Sequence, residues 1–201
     1  MVRRPLLMTP TRCARRAMDV SCVTSTGVSP RPFYCRPMPH WYQMSIEAPD
    51  LAEAGRALWQ EHGLMYLATV RADGSPRLHP VVPVLADGGI YIAIADQSPK
   101  WHDLRREARC VLHALPGPRD DEFVLRCRAR ETPGSLQRLR AAAKHVIHND
   151  DHIFEFDIEL ADLGWWEHVG QPGTYSVRTR WSPGAGLRRL PGLRTSAGEN
   201  Q

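Results

Sequence analysis

GLMYLATVRADGSPRLHPVVPVLADGGIYIAIADQSPKWHDLRREARCVLHAL, residues 63–115, decides how this 201-residue chain is read. Residues 64–70 have the composition of a strand, and Ala72-Asp73-Gly74-Ser75 carries the Asp-Gly signal of a tight hairpin, so residues 77–85 are expected to return beside the first strand. Pro80 and Pro83 cannot donate ladder hydrogen bonds, which places this second strand at an edge or a bulge and leaves backbone free to face a ligand. A second turn, Ala86-Asp87-Gly88-Gly89, leads to residues 90–95, apolar on both faces and therefore read as lying inside a barrel. Ser98 as N-cap and Pro99 at the first helical position predict a short helix over 99–107, made basic by Lys100, Arg105 and Arg106. A fourth strand follows over 109–115.

On the N-terminal side, residues 49–62 repeat apolar side chains at helical spacing (Leu51, Ala54, Leu58, Trp59), with Asp50 as N-cap and Gly63 as the stop. On the C-terminal side, residues 123–130 alternate Phe123, Leu125, Cys127 and Ala129 with Arg126, Arg128 and Arg130, a half-solvated strand. Leu136, Leu139, Ala143 and Val146 predict an amphipathic helix over 133–147. Residues 153–160 alternate with period two, putting Phe154, Phe156, Ile158 and Leu160 on one face, and residues 163–169 and 174–181 read as closing strands. The whole is mainly β with flanking helices: short antiparallel strands of Greek-key type forming a closed or nearly closed, split barrel.

Composition limits what this barrel does. The formal charge of +4 is concentrated in residues 1–43, where seven arginines face one acid, Asp19; the rest of the chain holds 19 basic and 21 acidic residues. The folded part is thus not basic, which excludes a nucleic-acid footprint on it, and no apolar run is long enough to span a membrane. Residues 1–43, rich in Arg, Pro, Ser and Thr without apolar periodicity, read as a disordered or mis-assigned leader, residues 44–181 as one domain, and residues 182–201 as a flexible tail. Only two lysines, Lys100 and Lys144, accompany the many arginines, as in a GC-rich genome. Cys110 and Cys127 lie in apolar strands and read as buried free thiols, consistent with a reducing, cytoplasmic setting.

Few side chains announce chemistry. From the local pattern alone Ser98 reads first as a helix cap and Lys100 as a solvated charge; the alternative is an anion site, in which a hydroxyl, an ammonium and free helical N–H groups receive a phosphate, with Arg77 adding a guanidinium. The nine histidines, His79 and His113 among them, form no metal-ligand pattern, so no metal is expected. Nucleophile-elbow, P-loop and dinucleotide-binding glycine motifs are all missing.

The run Asp73, Gly74, Pro76, Arg77, His79, Pro80, Val81, the strand IYIAIA, and the motif from Ser98 through Lys100, Leu104, Arg105, Arg106, Arg109 to Leu112 together resemble the pyridoxamine 5′-phosphate oxidase-like, FMN-binding split-barrel superfamily. The likeness covers roughly residues 51–175. It implies a homodimer with a flavin or deazaflavin between its barrels, Arg77, Ser98 and Lys100 on the phosphate, and Leu78, His79, Pro80, Val81, Val82, Ile94 and Ala95 along the ring. The cofactor would carry the redox chemistry, with no catalytic acid or base required of the protein. FMN and the deazaflavin coenzyme F-420 are both compatible with the Ser-Pro-Lys form of the motif. A non-enzymatic flavin, haem or small-molecule binder on the same barrel is the alternative, haem resting on His79 and His113. The segment containing Arg178, Arg180 and Trp181 does not match the vitamin B6 oxidase motif, so an unidentified small organic molecule is the expected substrate.

Overall fold

The Asp73 carboxylate sets the first hairpin. In the computed structural model, which describes residues 40–117 and 120–192, it accepts hydrogen bonds from the backbone N–H and the hydroxyl of Ser75 at 2.9 and 2.7 Å. This turn folds β2 (Pro76–Val81) antiparallel onto β1 (Met65–Val70). Asp87 and Gly88 both have positive φ, as a two-residue hairpin turn of the twist-matched type requires, and they join β3 (Val84–Ala86) to β4 (Gly89–Ile94). The single return strand expected over 77–85 is therefore two strands, interrupted at Val82 and Pro83.

Four helices flank the sheet: α1 (His40–Glu47), α2 (Pro49–His62), α3 (Pro99–Arg106) and α4 (Leu136–Ala142). The remaining strands are β5 (Arg109–Ala114), β6 (Glu122–Glu131), β7 (His152–Glu167), β8 (Tyr175–Ser182) and β9 (Gly186–Leu190). Every pairing is antiparallel, and the order β2-β1-β5-β6-β7-β4-β3 carries β8 and β9 as a branch from β7. The path does not close. The result is a split antiparallel barrel whose halves share β7: its first part pairs with β4 through His152–Phe156, and its last part pairs with β8 through Ala161–Glu167.

Four expectations need correction. Residues 163–169 do not begin a new strand; 163–167 continue β7, because a register shift opposite Arg126 and Cys127 leaves Glu159 as an extra residue. That bulge reverses which face looks inward, so Phe154, Phe156 and Ile158 enter the main core from one parity and Ala161 and Leu163 from the other. The helix over 133–147 is shortened to α4 behind a single 3₁₀ turn. Residues 186–190, assigned to a flexible tail, form β9 against β8, while 193–201 lie outside the described residues. Finally, α1 draws residues 40–43 into the fold: Trp41 is buried and meets Trp59 and Phe123 edge-on at 6.0 and 6.3 Å. Residues 1–39 of the leader lie outside the described residues.

β4 is apolar on both faces, but for a different reason from the one expected. Ile90, Ile92 and Ile94 point into the main core, while Tyr91 joins Leu139, Ile147 and Ile153 in a second cluster beneath α4. Cys110 and Cys127 stand opposite each other on β5 and β6, both free and buried. Burial pushes the Cys110 thiol up to about 12 and the Cys127 thiol well above its ordinary value, which makes both poor nucleophiles.

α2 approaches β6 closely at Gly55. A Cβ there would lie 2.4 Å from the Phe123 ring, which is fully buried and cannot swing away. Gly55→Ala is therefore expected to destabilise the fold by about 1–2 kcal/mol, overpacking outweighing the helix propensity that alanine adds; a thermal melt showing equal or raised stability would contradict this packing.

Candidate functional site

Asp103 is the organising group. It is the single acid of the basic helix α3, it is 3% exposed, and it faces the turn end of the β1–β2 hairpin. Thr69 of β1 donates to its Oδ2 at 2.9 Å and Arg77 Nε of β2 at 2.6 Å, while Arg106 reaches its Oδ1 at 3.3 Å. Arg106 also donates to the Val70 carbonyl. Burial opposes ionisation of Asp103, but the hydrogen bonds from Arg77, Thr69 and Arg106 outweigh it and hold the carboxyl below the usual carboxylate range. Sequence reasoning missed Asp103; its signal was a lone acid amid the cations of a short helix.

This anchoring fixes the N-terminus of α3 beside β2. Ser98 occupies the N-cap with extended backbone, yet its side chain makes no capping hydrogen bond; Pro99 has no N–H and the Trp101 N–H donates to the Ser98 carbonyl at 3.0 Å, which leaves the Ser98 hydroxyl and the Lys100 N–H as the donors of the first turn. Lys100, half-buried in the first turn, has no carboxylate within ion-pair distance among the described residues. Burial and then the positive field of Arg77 depress its pKa. His79 is depressed in the same way, by burial first and then by Lys100, Arg77 and Arg71. Two cations, Lys100 of α3 and Arg77 of β2, thus converge with the His79 imidazole, and Asp103 is set behind them.

The residues expected to line a ligand divide by face. Arg77 and His79 lie on the half-buried side of β2, opposite Thr69 and Leu67 of β1. Leu78, 60% exposed, and Pro80 point from the other side, and Val82 is exposed just past the strand. Val81 and Ile94 are in the main core, so only their backbone is available to a ligand, and Ala95 is exposed at the end of β4. β2 is an edge strand, as its prolines require, and among the described residues it pairs with β1 alone. His113 is on β5 opposite Tyr66 of β1, one residue out of register from His79, which pairs with Leu67, so the two imidazoles project from opposite faces of the sheet.

Among the described residues no group of three or more His, Cys, Asp or Glu is arranged to hold a metal, and no helix is long and apolar enough to cross a membrane.

The fold is that of a split barrel, and the family match is direct: the model described as pyridoxamine 5′-phosphate oxidase covers residues 51–163, more than half of the chain, which therefore belongs to that family. No curated relative matches at a significant level. Among solved structures, PhzG from Burkholderia lata 383, determined in complex with tetrahydrophenazine-1-carboxylic acid, superposes with a TM-score of 0.51 at 13% identity, covering 84% of this chain and 98% of that one. A Clostridium acetobutylicum protein related to general stress protein 26 of Bacillus subtilis, described as of the pyridoxinephosphate oxidase family, gives 0.51 at 12% identity over 67% and 95%. A pyridoxamine 5′-phosphate oxidase-related, FMN binding protein from Nostoc punctiforme gives 0.48 at 11% identity over 76% and 96%. At these identities the likeness is one of fold.

Asp103→Asn removes the acceptor charge while keeping the shape. It is expected to cost about 1.5–3 kcal/mol, as for hydrogen bonds to a charged group. Because the Asp103 pKa is depressed in the folded state, that stability is present above the ordinary carboxylate pKa and is lost as pH falls through the depressed value. Denaturation of both proteins at neutral and at acid pH checks this: the gap must narrow on acidification.

Proposed function

We propose that this chain binds FMN through the basic corner of β2 and α3 and serves as an FMN-dependent oxidoreductase acting on a small organic molecule. One observation carries the reading: Lys100 is half-buried beside Arg77 with no carboxylate of its own among the described residues. Such an arrangement disfavours the free ammonium and is relieved by a bound dianion. A phosphate fits the donor set, since Lys100 Nζ, the Ser98 hydroxyl, the Lys100 backbone N–H and the remaining Arg77 N–H groups all donate and none brings a competing negative charge. Pyridoxamine 5′-phosphate oxidase family membership supports a flavin as the bearer of that phosphate.

The work of the protein residues is then positional. Asp103 holds Arg77 by its Nε, fixing the plane of the guanidinium while its terminal N–H groups stay available. The edge of β2 offers backbone N–H and C=O groups to the polar rim of a planar ligand, and Leu78, Pro80 and Val82 present apolar surface. When bound, FMN would supply two-electron redox chemistry at its ring.

Self-association completes the reading. Tyr66, Leu78 and Val82 expose apolar side chains around the β1–β2 hairpin, a surface suited to a second copy. Sedimentation should return twice the 22.7 kDa chain mass, and a monomer at micromolar concentration would remove this part of the proposal.

Fluorescence titration with FMN tests the central point. Lys100→Ala is expected to weaken FMN by roughly ten- to hundredfold, the loss of one charge-assisted hydrogen bond, while riboflavin, lacking the phosphate, should bind the two proteins alike. Equal FMN affinity in both proteins would sink the phosphate assignment. Parallel titrations with a deazaflavin and with haem rank the other cofactors against FMN.

A further inference from the structure

A second tether holds α3 from the side opposite Asp103. The imidazole of His152, the first residue of β7, lies between two carboxylates: Nδ1 is 2.8 Å from Glu131 Oε1, at the end of β6, and Nε2 is 2.9 Å from Asp96 Oδ1, in the short loop from β4 to Ser98. Both acceptors can be satisfied together only when both nitrogens carry protons. The same ring stacks on Trp101 of α3 with centroids 4.3 Å apart and planes 19° from parallel. The indole N–H of Trp101 has no hydrogen-bond partner among the described residues, so ring contacts hold this side chain. On the far side of the network Arg105 sits 5.0 Å over the Trp101 ring and 3.6 Å from Glu131 Oε2, and His102 lies 4.5 Å from Trp101. These are the charged and titratable groups that the adjoining elements present around His152 and its stacked partner. Trp101 adjoins Lys100, and Asp96 precedes Ser98 by two residues.

We propose that His152 is a positioning residue for the anion site: as an imidazolium it ties the loop before Ser98 to β6 and braces Trp101, and on losing its proton it releases that loop, so that the site binds phosphate groups less tightly as pH rises. The proposal rests on the reading of Ser98 and Lys100 as the phosphate site. Neutral imidazole keeps one N–H and turns a lone pair toward the other carboxylate. Asp96, with its side chain 59% exposed, is the partner that leaves, because Glu131 is 30% exposed and has Arg105 beside it. The hydrogen bond to Asp96, opposed by burial and reinforced by Glu131, raises the imidazole pKa above its ordinary value of about 6.5. A raised folded-state value means that the tether is complete below that ordinary value and is lost as pH rises through the raised one.

The test has two arms. Without cofactor, tryptophan emission is followed across roughly pH 5 to 9 in the wild type, Trp101→Phe, His152→Gln and Asp96→Asn, with circular dichroism confirming the fold of each. A transition above the ordinary histidine pKa that is absent from Trp101→Phe and from His152→Gln is expected. Asp96→Asn should shift it to lower pH, since an amide can donate to the neutral ring. With FMN, the wild-type dissociation constant should rise at least about fivefold across the same transition. The ratio to His152→Gln cancels the ionisation of the FMN phosphate itself, and Asp96→Asn should retain tight binding at higher pH. An emission transition that is missing, or that survives in His152→Gln, overturns the proposal, as does FMN binding with no break at the transition. Failure of FMN to bind at any pH while the transition persists removes the cofactor reading and with it the coupling, leaving a tether that serves structure alone.

Discussion

One strand has to belong to both halves of the barrel. β7 is 16 residues long, and while β6 runs along one of its edges, the other edge is given first to β4 and then to β8. Residues 157–160 lie between these two partners, and there the sheet forks. A strand of this length accumulates twist, and the bulge at Glu159 takes up the reversal of face that the fork imposes. The arrangement determines where everything else can go. β4 is sealed by the main core on one side and by α4 on the other, and β2 is left as an edge at the far end of the order. An edge strand bearing Pro76 and Pro80 is a poor template for continuing the sheet, so its free side is open to a ligand or a second copy rather than to fibre growth.

Electrostatics at that edge is deliberately unbalanced around Asp103. A buried carboxylate needs partners, and here Arg77, Thr69 and Arg106 supply them. Arg77 is thereby brought beside Lys100, which gains no carboxylate of its own and loses basicity through burial and the neighbouring guanidinium. Stability gained in the Asp103 network thus supports a local excess of positive charge a few ångströms away, where that excess disfavours the free protein and favours an anion.

Much of this was legible in the chain. Asp-Gly in both turns, the edge position marked by Pro80 and the Ser98-Pro99 helix start each have one dominant local cause, and they appeared where the residues put them, while Pro83 marked a break in the strand rather than a place within it. What the sequence withheld depends on partners distant along the chain. Ile153 to Leu160 alternates cleanly, and nothing local reveals that Glu159 will be squeezed out so that Ala161 and Leu163 face inward. The apolar double face of β4 was read correctly as burial but not as burial against two different clusters. Residues 186–190 carry two arginines and a glycine and look like tail; only the waiting edge of β8 makes them a strand. Of the candidate site, Arg77 and Lys100 could be named in advance, whereas Asp103 and His152 could not, because their importance comes from what β1, β2, β6 and the β4–α3 loop present to them.

The smallest helix near the site depends most on such distant partners. Eight residues are too few for α3 to be stable on its own, and its sequence offers little apolar surface beyond Leu104 and Trp101. Asp103 and Arg106 fasten one side to β1 and β2, and Trp101 and Arg105 fasten the other to His152 and Glu131. Among the described residues, the N-terminal positions Ser98 and Lys100 carry no hydrogen bond or ion pair of this kind. A helix held from both flanks presents its positive end at a fixed place beside β2, and its geometry can be no more rigid than the side-chain contacts that hold it.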